Sequence, residues 1–145
     1  MIRQINLAKR LDYTPDDDPG KGTPDATIFH LKVLTSWQQA VVNDLIASFD
    51  AQSMKDGNGG AEMRIHQASI VAAQLSLEGW TNFLTEDGAE VPFKTERRTF
   101  GGRAGQYISS DILDTVPLAV IFGIYRTLTE SAEPSETDVK NSVAA

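Results

Sequence analysis

Two histidines, no cysteine and twenty acidic residues bound the chemistry open to this 145-residue chain. His30 lies on the polar side of the alternating stretch Phe29-His30-Leu31-Lys32-Val33, so it is expected to face water and not to catalyse. Glu62 and His66 stand four apart, a spacing at which a carboxylate and an imidazole can share a metal. No spacing joins them to His30, so they read as a surface pair. Asp56-Gly57-Asn58-Gly59-Gly60 opens like a calcium loop, but its glycine falls one position early and the closing position is Gln67 instead of a bidentate Glu. Asp16-Asp17-Asp18 also lacks that alternation and reads as a solvated turn. The pairs Asp111/Asp114 and Glu86/Asp87 sit where a helix start and a turn already favour acids. There is no Gly-x-Ser-x-Gly elbow, no His-Glu-x-x-His and no nucleotide fingerprint. The expectation is a protein with no catalytic residues, cofactor or metal.

Arginine offers a different chemistry. Lys94, Arg97, Arg98 and Arg103 against the single Glu96 give the stretch from Lys94 to Arg103 a net +3. Gly101-Gly102-Arg103-Ala104-Gly105 makes Lys94 to Tyr107 read as a mobile, Gly-rich basic loop. Neither a Gly-Lys-Ser/Thr ending nor a GxGxxG spacing is present, so the loop is not read as a phosphate cradle. Phe100 and Tyr107 could stack on single-stranded nucleic acid. The net charge of −7 and pI near 4.7 oppose that, because counterion release needs clustered cations. Arg97, Arg98 and Arg103 are therefore candidate partner-binding residues, suited to bidentate pairing with a partner's carboxylates. From Glu130 onward four acids against Lys140 give net −3, so the tail could pair with the loop or with neighbouring copies.

The elements that must position these groups follow from periodicity. Residues 1–25 contain Thr14-Pro15 to Thr23-Pro24 and read as a Pro/Asp-rich arm or loop. Ala26–Leu34 reads as a strand with Phe29, Leu31 and Val33 on its apolar face. Thr35 or Ser36 can cap a helix over Trp37–Phe49, whose Trp37, Val41, Leu45 and Phe49 form a core stripe widened by Val42 and Ile46. Residues 56–60 reverse the chain. A second helix is read over Ala61–Leu77, stopped by Gly79. Trp80–Phe93 reads as a hairpin turning at Asp87-Gly88. Ser109 or Ser110 caps a short helix at 111–114. Pro117 starts the longest helix, Leu118–Thr129, which is either central to the core or offers a surplus face to a partner. The fold class is α+β: a small antiparallel sheet with a hairpin on three to four helices, with extended arms at both ends. One globular domain spans 26–130, and 131–145 is an acidic tail. No apolar run reaches the roughly 20 residues of a membrane span, and no signal-peptide core precedes the domain, so work in the cytoplasm is expected.

Gly79-Trp80, Glu86-Asp87-Gly88 and Val91-Pro92-Phe93, then an apolar helix and an acidic tail with Lys140-Asn141-Ser142, form an ordered series. The series resembles the GW…DEDG…VPF pattern of small tail-assembly and morphogenesis proteins of long-tailed bacteriophages. The likeness covers roughly the second half of the chain. It implies a non-enzymatic assembly protein like the tail-assembly chaperones, which recruit the major tail protein and the tape measure in the host cytoplasm. The alternative is a capsid, neck or tail adaptor or decoration protein retained in the virion. A small regulatory or nucleic-acid-binding domain is a third reading, disfavoured by the acidic charge. Implied partners are phage structural subunits, with self-association open. Trp80 and Phe83, on the motif itself, join the three arginines as candidate partner-binding residues; their alternative role is to cover a helix from within the hairpin.

Overall fold

Alternation builds the first layer. In the computed structural model, which describes residues 1–56 and 61–132, β2 (Ile28–Lys32) turns Phe29 and Leu31 inward until both are essentially inaccessible. Burying side chains of this size stabilises the fold by about 1.5–3 kcal/mol each. β2 is the middle strand of a three-stranded antiparallel sheet between β1 (Arg10–Tyr13) and β3 (Leu77–Thr81). Tyr13 and Trp80 flank Phe29, and a register shift at His30/Leu31 sets Leu31 opposite Leu77. Residues 10–13 thus form an edge strand inside a stretch read as arm or loop.

The helices divide the core unevenly. α1 (Ser36–Asp56) opens with a reciprocal cap: the Gln38 N–H donates to Thr35 Oγ1 at 3.1 Å, and the Thr35 N–H donates to Gln38 Oε1 at 3.0 Å. α2 (Ala61–Ser76) buries Ala68, Ser69, Ala72, Ala73, Leu75 and Ser76 completely and packs against α1 and α4 (Leu118–Ala132). α2 is therefore the central helix, whereas α4 is amphipathic, with Ile121, Ile124 and Leu128 inward and Leu118 exposed. Small alanine and serine side chains allow approach on several sides, while the larger residues of α4 fill one face. Side chains of 48–56, 61–64 and 132 lie outside the described residues, as do 57–60 and 133–145. The expected reversal, the Glu62–His66 pair and the acidic tail beyond α4 therefore go undescribed.

Several elements depart from the sequence reading: β2 covers only Ile28–Lys32 of the strand expected over Ala26–Leu34, and α1 runs beyond Phe49 to Asp56. α2 does not run to a stop at Gly79; it ends at Ser76 and passes directly into β3, where Leu77 and Trp80 are buried and Glu78 and Thr81 exposed. The Trp80–Phe93 hairpin is reduced to a narrow loop closed by one bridge, Leu84 to Glu90, and by the Thr85 N–H donating to the Ala89 carbonyl at 2.7 Å. Its turn is where expected, with Gly88 at φ +85°. The strand ends at Asn82, at φ +59°, whose amide donates to the Pro24 and Ala26 carbonyls at 3.1 Å. Finally, the supposed mobile loop is a regular hairpin, β4 (Thr95–Phe100) and β5 (Arg103–Ile108). Gly101 and Gly102, at φ +56° and +81°, supply the two left-handed residues that a two-residue hairpin turn requires. The glycines punctuate two strands; they do not dissolve them. α3 (Ser110–Leu113) follows β5.

Candidate interaction surface

Strand pleating separates the three arginines. On β4, Arg97 projects with Thr95 and Thr99 to solvent, while Glu96, Arg98 and Phe100 occupy the half-buried opposite face. Arg98 is engaged internally: its guanidinium donates to Ser110 Oγ, approaches Glu96 Oε1 at 3.6 Å and lies 5.5 Å from the Phe100 ring centroid. Arg103 lies 4.3 Å over the ring of Trp37. Trp37, expected in the core stripe of α1, is instead exposed at the start of that helix. Its place is explained by the hairpin tip. A methyl on Gly101 would come within 2.9 Å of Trp37 Nε1 and 2.6 Å of Val41 Cγ2, so the turn seats its bare backbone on α1. Lys32 adds a third cation, 5.8 Å over Tyr107, and Tyr107 stacks edge-on against Phe100 at 5.2 Å. A groove of about 180 Å³ runs between Trp37, Gln38, Phe100 and Arg103.

Glu96 anchors this surface to the body. It accepts from the Ser110 N–H at 3.0 Å and the Ser110 hydroxyl at 3.1 Å, replacing the side-chain cap that Ser109 does not make at the start of α3. These two hydrogen bonds, with a smaller contribution from Arg98, hold its carboxyl below the usual carboxylate range. On the other strand, the buried Gln74 amide of α2 donates to the Ile108 carbonyl at 3.2 Å.

No family model, curated protein or solved structure matches this chain. Function must therefore be argued from the chain's own geometry.

Trp80 is placed as a core residue. It is buried, its Nε1–H donates to the Val91 carbonyl at 2.8 Å, and it meets Phe29, Phe83 and Phe93 edge-on at 6.2, 5.0 and 5.0 Å. It is part of β3 itself and joins the core cluster that the helices also enter. Phe83 is half-buried and lines a second cleft with Tyr13 and Val120. The five candidate residues therefore occupy two regions: the arginines on the hairpin, and the aromatics beside the sheet.

The sheet's polar face carries one arrangement that the sequence reading missed. His30 Nδ1 is 2.9 Å from Asp12 Oδ1, and its Nε2 is 2.9 Å from Thr81 Oγ1, across three adjacent strands. A carboxylate, an imidazole and a hydroxyl in series can relay a proton. Here Asp12 and His30 keep 65% and 40% of their side-chain surface in water, so the series acts as a solvent-screened cross-strand ladder. Asp12 went unseen because β1 is too short for its alternation to stand out. Among the described residues no group of three or more metal-ligating side chains converges, and no helix is long and apolar enough to cross a membrane.

Proposed function

We propose that the protein is a non-catalytic bacteriophage assembly factor that acts through protein–protein contacts in the host cytoplasm, in the manner of tail-assembly chaperones. The observation that supports this reading is the β4–β5 hairpin, which offers exposed Arg97 on one face and the Arg103–Trp37 stack, beside Phe100, on the other. Arg and Trp are the side chains that most often dominate binding energy at protein interfaces. Carboxylate-bearing surfaces of phage structural subunits suit these guanidinium groups chemically.

The test uses Arg97→Ala/Arg103→Ala, leaving Arg98 in place because it braces Ser110 and Glu96. The double variant should unfold like the wild type and yield fewer assembled particles at low salt, with the deficit narrowing as ionic strength rises and screens the wild-type attraction. Wild-type particle yield across salt from a folded double variant would remove the reading. A second reading, a component retained in the virion, is favoured by the exposed apolar residues before β1, which neighbouring subunits would cover. Mass spectrometry of purified mature particles separates the two: a chaperone is absent, a structural component stoichiometric.

A further inference from the structure

Met1, Ile2, Ile5 and Leu7 are all exposed within seven consecutive positions, with Ile2 entirely in solvent. Isolated surface apolar residues need no explanation, but such a run on one short segment marks a contact surface. Segment 1–9 carries Arg3 and Lys9 and no acid. It joins β1 at Arg10, whose guanidinium is fixed to Glu78 at 2.8 Å.

A complementary site lies at the other end of β1. There Tyr13 reaches a cleft of about 260 Å³ lined by Pro15, Phe83, Pro117 and Val120, with Asp17 and Asp18 among its walls and no Lys or Arg. An apolar cavity of about 150 Å³ already accepts a benzene-sized guest, so this cleft has room for aliphatic side chains. Its acids oppose the cations of segment 1–9. In its own chain the segment leaves Ile2 fully exposed and so does not fill the cleft.

We propose that segment 1–9 of one copy docks its Ile and Leu side chains into the Tyr13–Val120 cleft of a second copy. The contact joins two different surfaces, so it is head-to-tail and propagates into rings or filaments, not closed pairs. It involves neither the hairpin nor its arginines, and stands whether or not the proposed phage role does.

The absence of native cysteine permits a direct test. Single-cysteine variants Ile5→Cys and Ala119→Cys are mixed and mildly oxidised, with Gln106→Cys on the hairpin as the control partner for Ile5→Cys. A disulfide-linked heterodimer for the first mixture and none for the control is expected. Sedimentation velocity of the wild type should show concentration-dependent association, weakened at least tenfold in Ile2→Ser/Ile5→Ser/Leu7→Ser. These exposed positions can be changed without touching the core, and an unchanged urea midpoint confirms it. Three results overturn the proposal: equal cross-linking to the control, association undiminished in the triple variant, or a wild type that stays monomeric. A disulfide forming only within a chain carrying both cysteines shows docking in cis and overturns it as well.

Discussion

Gly123, in the middle of α4, should resist even a methyl group. In a solvent-exposed helix interior, Gly→Ala stabilises by about 1 kcal/mol. Gly123 is buried against β1, and an added Cβ would overlap both the hydroxyl and Cζ of Tyr13. Tyr13 cannot simply swing away, because its ring packs on Phe29 at 6.4 Å and its backbone is paired in β1. Overpacking of this kind costs typically 1–3 kcal/mol, and overlap with both the phenol oxygen and its ring carbon puts it at about 3 kcal/mol. Subtracting the helix gain leaves Gly123→Ala destabilised by about 2 kcal/mol. The decisive measurement is a double-mutant cycle with Tyr13→Ala, by urea unfolding followed through far-UV circular dichroism. Without the phenol ring the same methyl should stabilise by about 1 kcal/mol, a reversal of sign and a coupling near 3 kcal/mol. A Gly123→Ala effect that is stabilising in the wild-type background, or equal in both, would refute the claim that β1 docks on α4 through this contact.

Glu96→Gln should lower the melting temperature at neutral pH, since the amide replaces a charged acceptor at the start of α3. The folded-state pKa of Glu96 is depressed, so its contribution is fully present above the ordinary carboxylate value and is lost as pH falls through the folded value. The gap between wild type and variant should therefore close on acidification, and a gap constant with pH would show that the carboxylate's charge is not the cause. Gly88→Val places a β-branched residue at φ +85°, where no neighbour crowds the side chain but the backbone itself disfavours it. A loss of about 1–3 kcal/mol is expected, and a wild-type melting temperature would count against that turn geometry.

Much of the scaffold was legible along the chain. Alternation alone puts Phe29 and Leu31 on the buried face, residue type makes Thr35 or Ser36 the cap, of which Thr35 is the one used, and Asp-Gly between β-forming flanks puts Gly88 in a left-handed turn. Each depends on neighbours only a few residues away, where backbone sterics and side-chain period act directly. The candidate surface is only half legible in the sequence: the arginines stand out, but their division between the two faces of the β4–β5 hairpin does not, because a Gly-rich stretch gives the same local signal in a loop and at a hairpin turn.

Sequence alone determined which residues are apolar, where the chain can reverse and which short segments repeat with a strand or helix period. Tertiary structure decided the rest. It made the alanine-rich α2 central in place of the more hydrophobic α4, drew Arg10–Tyr13 into the sheet, and left Trp37 outside beneath Arg103. The reason is that local pattern encodes which face of an element is apolar, whereas how many neighbours cover it, and how closely, depends on contacts between residues far apart in the chain.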